Sequence, residues 1–214
     1  PDYDVERTLA TLSLLDYLTS ASSSSYNAYA VQLLQHHLKA NQLTEGAAVL
    51  LRMADTLGSS SELVEPMEDV WGVHTAFPEE SELVRKQRML RDAVELLEKD
   101  SQYEKAMAVL EMMLQLMEGQ GGKAAVEEVA QLKKQRDKLD SALRSEDRLV
   151  TEYFRVGFYG MGFHSLAGRA FIFRGGLLER LDEFNSRMLQ QFPGATLLTY
   201  TSEPQADILE ASGQ

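Results

Sequence analysis

The sequence predicts an α+β chain that is mainly α: an antiparallel helical array of tetratricopeptide-like hairpins, followed by the start of a β-sheet lobe. Three observations carry this. Apolar residues recur at helical spacing through most of the first 150 positions. The stretch Gln42-Leu43-Thr44-Glu45-Gly46-Ala47-Ala48-Val49-Leu50 is echoed by Gln102-Tyr103-Glu104-Lys105-Ala106-Met107-Ala108-Val109-Leu110. Small residues at matching places in the two stretches let neighbouring helices approach, the texture of stacked helical hairpins. After Thr151 the period changes from helix to strand.

The elements follow in order. Val5, Leu9, Leu12, Leu15 and Leu18 predict an amphipathic helix over roughly 5–19. The serines from Ser20 to Ser25 break it and offer a cap to the next helix, which Tyr26, Tyr29, Val31, Leu33, Leu34 and Leu38 carry to about Lys39. Leu43, Ala47, Leu50, Leu51 and Ala54 make a third, stopped by Gly58. From Ser59 to Glu80 the pattern fails among Pro66, Gly72, Pro78 and the acids Glu62, Glu65, Glu68, Asp69, Glu79 and Glu80, so a long surface loop is expected. Trp71, with Val73 and Phe77 nearby, either plugs that loop onto the core or anchors a partner. Ser81 is placed to cap a helix reaching Lys99, with Leu83, Leu90, Val94 and Leu97 on one face. Ser101, with Glu104 three residues on, suggests a capping box for a helix through Met117. Gly119, Gly121 and Gly122 mark a hinge before a long charged helix over about 123–149.

The last third reads differently. Residues 153–159 and 170–174 are rich in aromatic and β-branched side chains and predict strands. Gly157, Gly160 and Gly162 fit bulges or tight turns. Asp182 to Gln191 predicts a short helix ended by Phe192-Pro193-Gly194, and Ala195 to Thr201 another strand. The organisation is therefore a helical lobe over 1–150 and the opening of a β-rich lobe over 151–214.

Composition narrows the function. The formal net charge is −12, from 33 acidic and 21 basic residues. Nonspecific phosphate binding needs clustered Lys and Arg, so nucleic acid is excluded as a partner, and so is an anionic membrane surface as the main one. No apolar run approaches the length that spans a bilayer, and Pro1-Asp2-Tyr3-Asp4 is no signal peptide, so direct membrane insertion is not expected. With no cysteine, disulfides and thiolate metal sites are ruled out, which fits a reducing, cytoplasmic setting. Both ends read as cuts inside a longer protein.

No catalytic residues, metal site or cofactor are predicted. His36 and His37 are adjacent on a helix and point about 100° apart, so they cannot chelate one ion from a single face. His74 and His164 stand alone. Gly157-x-x-Gly160-x-Gly162 lacks the Lys-Ser/Thr and following helix of a phosphate loop, and there is no Gly-x-Ser-x-Gly elbow. Met107, Met112, Met113 and Met117 on one helix fill a core or form an adaptable contact surface. Val129, Leu132, Leu139 and Leu143 form an apolar stripe, broken by Arg136, that suits an internal seam or a dimer seam. Met113, Met117, Leu132 and Leu139 are the candidates for a dimer or partner surface.

The most informative stretch is Tyr153-Phe154-Arg155-Val156-Gly157-Phe158-Tyr159-Gly160-Met161-Gly162-Phe163. After it come Phe171-Ile172-Phe173-Arg174-Gly175, then Glu179-Arg180, Phe184, Arg187-Met188-Leu189 and Phe192-Pro193-x-Ala195. This order of blocks resembles the second DOCK homology region, the exchange-factor module of the DOCK family that acts on Rho-type GTPases, and is closest to the Rac-directed branches. His164 stands where the family pattern has Pro, and Leu166-Ala167-Gly168-Arg169 departs from the common loop. The helical part resembles the first lobe of that module through Leu96-Leu97-Glu98-Lys99, Tyr103-Glu104-x-Ala106 and the long helix leading to Tyr153.

The resemblance implies a three-lobed module: a helical first lobe that mediates homodimerisation, a β second lobe that touches the GTPase switch region, and a third lobe whose nucleotide sensor expels GDP and magnesium. Under it the chain holds the first lobe and the start of the second. It would act as a GTPase regulator with no chemical step of its own, and without the sensor lobe it would not catalyse exchange alone. The implied partner is a Rac-type, or Cdc42-type, small GTPase, contacted through Tyr159, Met161, Phe163 and His164. The alternative is a helical scaffold module with no GTPase contact of its own.

Overall fold

The computed structural model describes residues 5–18, 23–68, 75–117, 123–145, 151–198, 204 and 208. The expectations placed on Trp71, Val73, His74, the glycines 119, 121 and 122, and the end of the expected strand at Thr201 fall outside them. The fold is mainly α with short antiparallel strand pairs. The chain divides into two compact units, residues 2–148 and 149–214.

In the first unit, six helices pack each against the next: α1 (Val5–Leu18), α2 (Ser23–Lys39), α3 (Leu43–Asp55), α4 (Glu82–Lys99), α5 (Tyr103–Met117) and α6 (Lys123–Leu143). The echo seen in the sequence is an echo of turns. After α2, Asn41 takes a left-handed φ of 55°, its amide donates to the Leu38 carbonyl, and the Gln42 amide reaches back to His37 O. After α4, Ser101 takes φ 56°, its amide donates to Glu98 O, and the Gln102 amide reaches Leu97 O. Both are Schellman turns, which satisfy the orphan carbonyls at a helix end and reverse the chain in a few residues. The carboxylate of Asp100, in the second turn, accepts from the Thr44 amide at 3.1 Å and its hydroxyl at 2.6 Å, so it clasps the start of α3.

This corrects one expectation. Ser101 does not cap α5; a residue spent on a left-handed turn cannot also be the extended N-cap, and the helix opens at Tyr103 with Gln102 O accepting the Ala106 amide. Ser81 does cap α4, its hydroxyl accepting from the Val84 amide at 3.4 Å. The last helix ends at Leu143, short of the predicted 149; residues 146–150 lie outside the described residues.

The expected loop between α3 and α4 is built instead from two short antiparallel pairs. β1 (Leu63–Val64) pairs with β4 (Glu80–Ser81), and β2 (Met67–Glu68) with β3 (Thr75–Phe77). Arg85 explains why this polar segment is ordered. It is 1 % exposed, and its guanidinium donates to the carbonyls of Glu65 at 2.6 Å, Pro78 at 2.5 Å and Val64 at 3.3 Å. The Glu80 carboxylate, also buried, lies 3.6 Å from Arg85 Nε and 2.8 Å from Arg88. Burial pulls the Arg85 pKa down while Glu80 opposes the shift. Met67 and Phe77 then join the core with Met53, Met89, Leu90 and Leu110.

The second unit is a hairpin closed by a helix. β5 (Tyr153–Gly157) and β6 (Ala170–Arg174) run antiparallel with Phe154 opposite Phe173 and Val156 opposite Phe171. α7 (Leu181–Gln191) packs its Phe184 against this face, 4.1 Å from the Phe154 ring and nearly parallel to it. Phe158 is 2 % exposed and meets Phe163, Phe171 and Phe192 edge-on at 5.1–5.9 Å. Gly175 is required where β6 ends: a Cβ there would lie 2.9 Å from the Phe154 ring and 3.0 Å from the Glu152 carbonyl. The strand expected from Ala195 is absent over residues 195–198, because a strand needs a hydrogen-bonding neighbour and β5 and β6 pair only with each other among the described residues.

Candidate functional site

Between β5 and β6 the chain makes a closed loop. The Phe158 amide donates to Arg169 O at 2.9 Å, and the Gly168 amide returns to Phe158 O at 2.8 Å. Inside lies a 3-10 turn, Met161–Leu166. Gly160 enters it at φ 94°, a conformation that glycine adopts without strain. His164 follows at φ 49° and ψ −112°, the geometry of the first central position of a type II′ turn, where glycine is the usual residue. A proline, fixed near φ −65°, could not take this conformation.

The four residues expected to touch a GTPase therefore separate into two kinds. Phe163 is 8 % exposed and forms the floor of the loop with Leu166, against Phe158 and Phe192. It is a core residue whose role is to support the loop. Tyr159 is half-buried and lays its ring over Gly157, where a Cβ would come within 2.6 Å of the phenol oxygen. Met161, 64 % exposed, and His164 stand on the outside. Only these two of the four are exposed.

Residues beyond the loop hold the unit together. Glu179 is 13 % exposed and pairs bidentately with Arg187, both contacts 2.8 Å, and it also accepts the Gly176 amide at 2.7 Å. The Arg187 hydrogen bonds hold its carboxyl below the usual glutamate range, burial opposes them, and the Gly176 amide adds to the lowering. The Arg187 guanidinium lies 5.0 Å above the Phe184 ring. Thus the Glu179, Phe184 and Arg187 of the sequence blocks form one structural cluster.

The four residues proposed from sequence as a dimer surface are not on a surface. Met113, Met117, Leu132 and Leu139 are between 1 and 6 % exposed and belong to the core of the helical unit. Their stripes meet each other where α5 packs on α6, so the internal seam accounts for them. Polar links brace the same packing from outside: Arg91 pairs with Glu128 and Gln135 with Glu98, joining α4 to α6. On the outer side Met112 is 39 % and Val126 69 % exposed. Among the described residues no group of His, Asp and Glu is placed to hold a metal ion. No helix among them is long and apolar enough to cross a membrane.

Sequence reasoning passed over one signal. Between Glu152 and Glu179 there is no acidic residue, while Arg155, Arg169 and Arg174 fall in that interval. In a chain of net charge −12 this run could have been found by tracking charge along the sequence.

No family model matches the chain. Comparison with curated proteins finds similarity along nearly the whole chain. The chain is similar to the dedicator of cytokinesis proteins. It is 26 % identical over 216 residues to human dedicator of cytokinesis protein 4, covering 100 % of this chain and 10 % of that protein. Human dedicator of cytokinesis protein 3 is 26 % identical over 207 residues, covering 95 % of this chain and 10 % of its own. DOCK-like protein 1 of Saccharomyces cerevisiae is 25 % identical over 215 residues, covering 97 % of this chain and again 10 % of its own. The chain thus spans about a tenth of the length of these relatives.

Proposed function

We propose that this chain is a segment of the second DOCK homology region of a guanine nucleotide exchange factor, acting on Rac-type small GTPases in the cytoplasm. The observation that supports the reading is a single match to DOCK proteins that takes in the helical and β parts together. The motif blocks of residues 153–195 add to it, because they coincide with the hairpin, its loop and the Glu179–Arg187 cluster. The chain regulates a GTPase and has no chemical step of its own. The 214 residues alone do not expel nucleotide. The β unit contributes recognition through Met161 and His164, and the helical unit contributes self-association through outward residues such as Met112 and Val126.

The test is calorimetry of the chain against nucleotide-free Rac, Cdc42 and Rho. Selective binding to Rac, without accelerated GDP release, is the expected result. Accelerated release by this chain alone would contradict the division of labour, and binding to none of the three would contradict GTPase recognition by this segment. Sedimentation of wild type and Val126→Glu tests self-association: a dimer lost in the variant supports it, and a monomeric wild type refutes it.

A further inference from the structure

Helix α1 packs on α2 along a seam that changes character over its length. Val5, Thr8, Leu12 and Leu15 recur at spacings of three and four, so they share one face of α1. Leu15 is fully buried, and Leu12 and Leu18 pack against the same core. Thr8 stands in this row where an apolar side chain belongs, and it is 6 % exposed. Its hydroxyl is covered and meets no hydrogen-bond partner among the described residues. Two other hydroxyls of α1 behave differently. Thr11 donates to the Arg7 carbonyl at 2.8 Å and Ser13 to the Leu9 carbonyl at 3.0 Å, each four residues back. The carbonyl four residues before Thr8 is that of Asp4, outside the described residues.

Beside Thr8 the seam leaves a cavity of about 10 Å³, space for the centre of one water molecule. Arg7, Thr8 and Thr11 of α1 and Gln32, Leu33 and His36 of α2 line it. Leu33 is the one apolar side chain among them, and the Nε2 of His36 is buried. An apolar cavity stays dry, whereas a polar one that offers two to four hydrogen-bonding atoms holds an ordered water. We propose that this cavity binds one ordered water, which bridges the Thr8 hydroxyl to the side chains of Gln32 and His36. Helix α1 then docks through solvent at Thr8 and through leucine from Leu12 onward. A water both donates and accepts, so it serves a hydroxyl, an amide and an imidazole whichever way each is turned. Sliding α1 along α2 would carry Thr8 off the cavity and leave its hydroxyl buried and unpaired. The bridge therefore fixes the register of the first helix at a cost in stability, as a polar residue within an apolar seam does.

The experiment is a crystal structure of the full chain that resolves ordered water, with denaturant melts of wild type, Thr8→Val and Thr8→Ser. Valine keeps the shape of threonine and lacks the hydroxyl. The expected result is density for one water within hydrogen-bonding distance of Thr8 Oγ1 and of an α2 side chain. That water is kept in Thr8→Ser and lost in Thr8→Val, and the Thr8→Val midpoint falls below wild type. A midpoint that rises in Thr8→Val would mean that the substitution relieves a dry, unpaired hydroxyl, and it overturns the inference. A wild-type cavity without water, or a Thr8 hydroxyl turned onto the Asp4 carbonyl with no water beside it, overturns it as well. Should a variant fail to fold, the wild-type density decides.

Discussion

Two arginines illustrate how differently a charge can be used. Arg187 sits at a partly open surface and forks onto Glu179. Glu179→Gln should cost about 1 kcal/mol, since a charge-assisted pair with one exposed partner is weakened by solvent. Because the folded-state carboxyl is held below the usual glutamate range, its contribution is complete above that range and is lost as pH falls through the folded-state value. Urea melts of wild type and variant across acid pH should therefore converge. Arg85 is the opposite case, a buried cation that satisfies three carbonyls of the segment preceding α4. Arg85→Ala should cost about 3 kcal/mol and loosen the pairs β1–β4 and β2–β3, read as faster amide exchange in those strands with α5 still protected. Nothing in the apolar periodicity marks Arg85, since a buried arginine and a surface arginine are spelled alike; its environment is assembled from carbonyls that sequence pattern does not reveal.

At the scale of elements, what was legible is what has a period. Helices α1 to α5 and α7 and strands β5 and β6 were readable to within a few residues, because each pairs an apolar repeat with a break at serine, glycine or proline. The pairs β1–β4 and β2–β3 were not, because two- and three-residue strands leave no period to read. Buried and exposed apolar residues also look alike in one dimension, which is why Met113, Met117, Leu132 and Leu139 suggested a surface. Within the candidate loop the sequence did not separate the exposed Met161 and His164 from the core Phe163, because aromatic and apolar letters do not state which side of a turn they occupy. The repeated turns give a direct test. Ser101 holds φ 56° without the local hydrogen bonding that makes asparagine tolerant of this region. Ser101→Gly should stabilise by about 0.5 kcal/mol and Ser101→Val destabilise by about 1 kcal/mol, with a smaller gain for Asn41→Gly. Denaturant midpoints decide it.

For the whole molecule, the two units have separate hydrophobic centres, methionine and leucine in one and stacked phenylalanine in the other. Phe158→Ala should cost about 3–5 kcal/mol, and hydrogen exchange should rise in β5, β6 and α7 while α3 and α4 keep their protection. Uniform loss of protection would mean the centres are coupled. The paired Schellman turns carry a different implication. Asn41 and Ser101 occupy equivalent places, each followed by glutamine and then by a helix with the same opening bonds. Joining Asn41 directly to Gln102 would excise one whole hairpin and still spell a working turn, and copying residues 42–101 in tandem would insert one. The two turns are thus interchangeable joints, so a deletion or duplication of sixty residues between them would need no new connection.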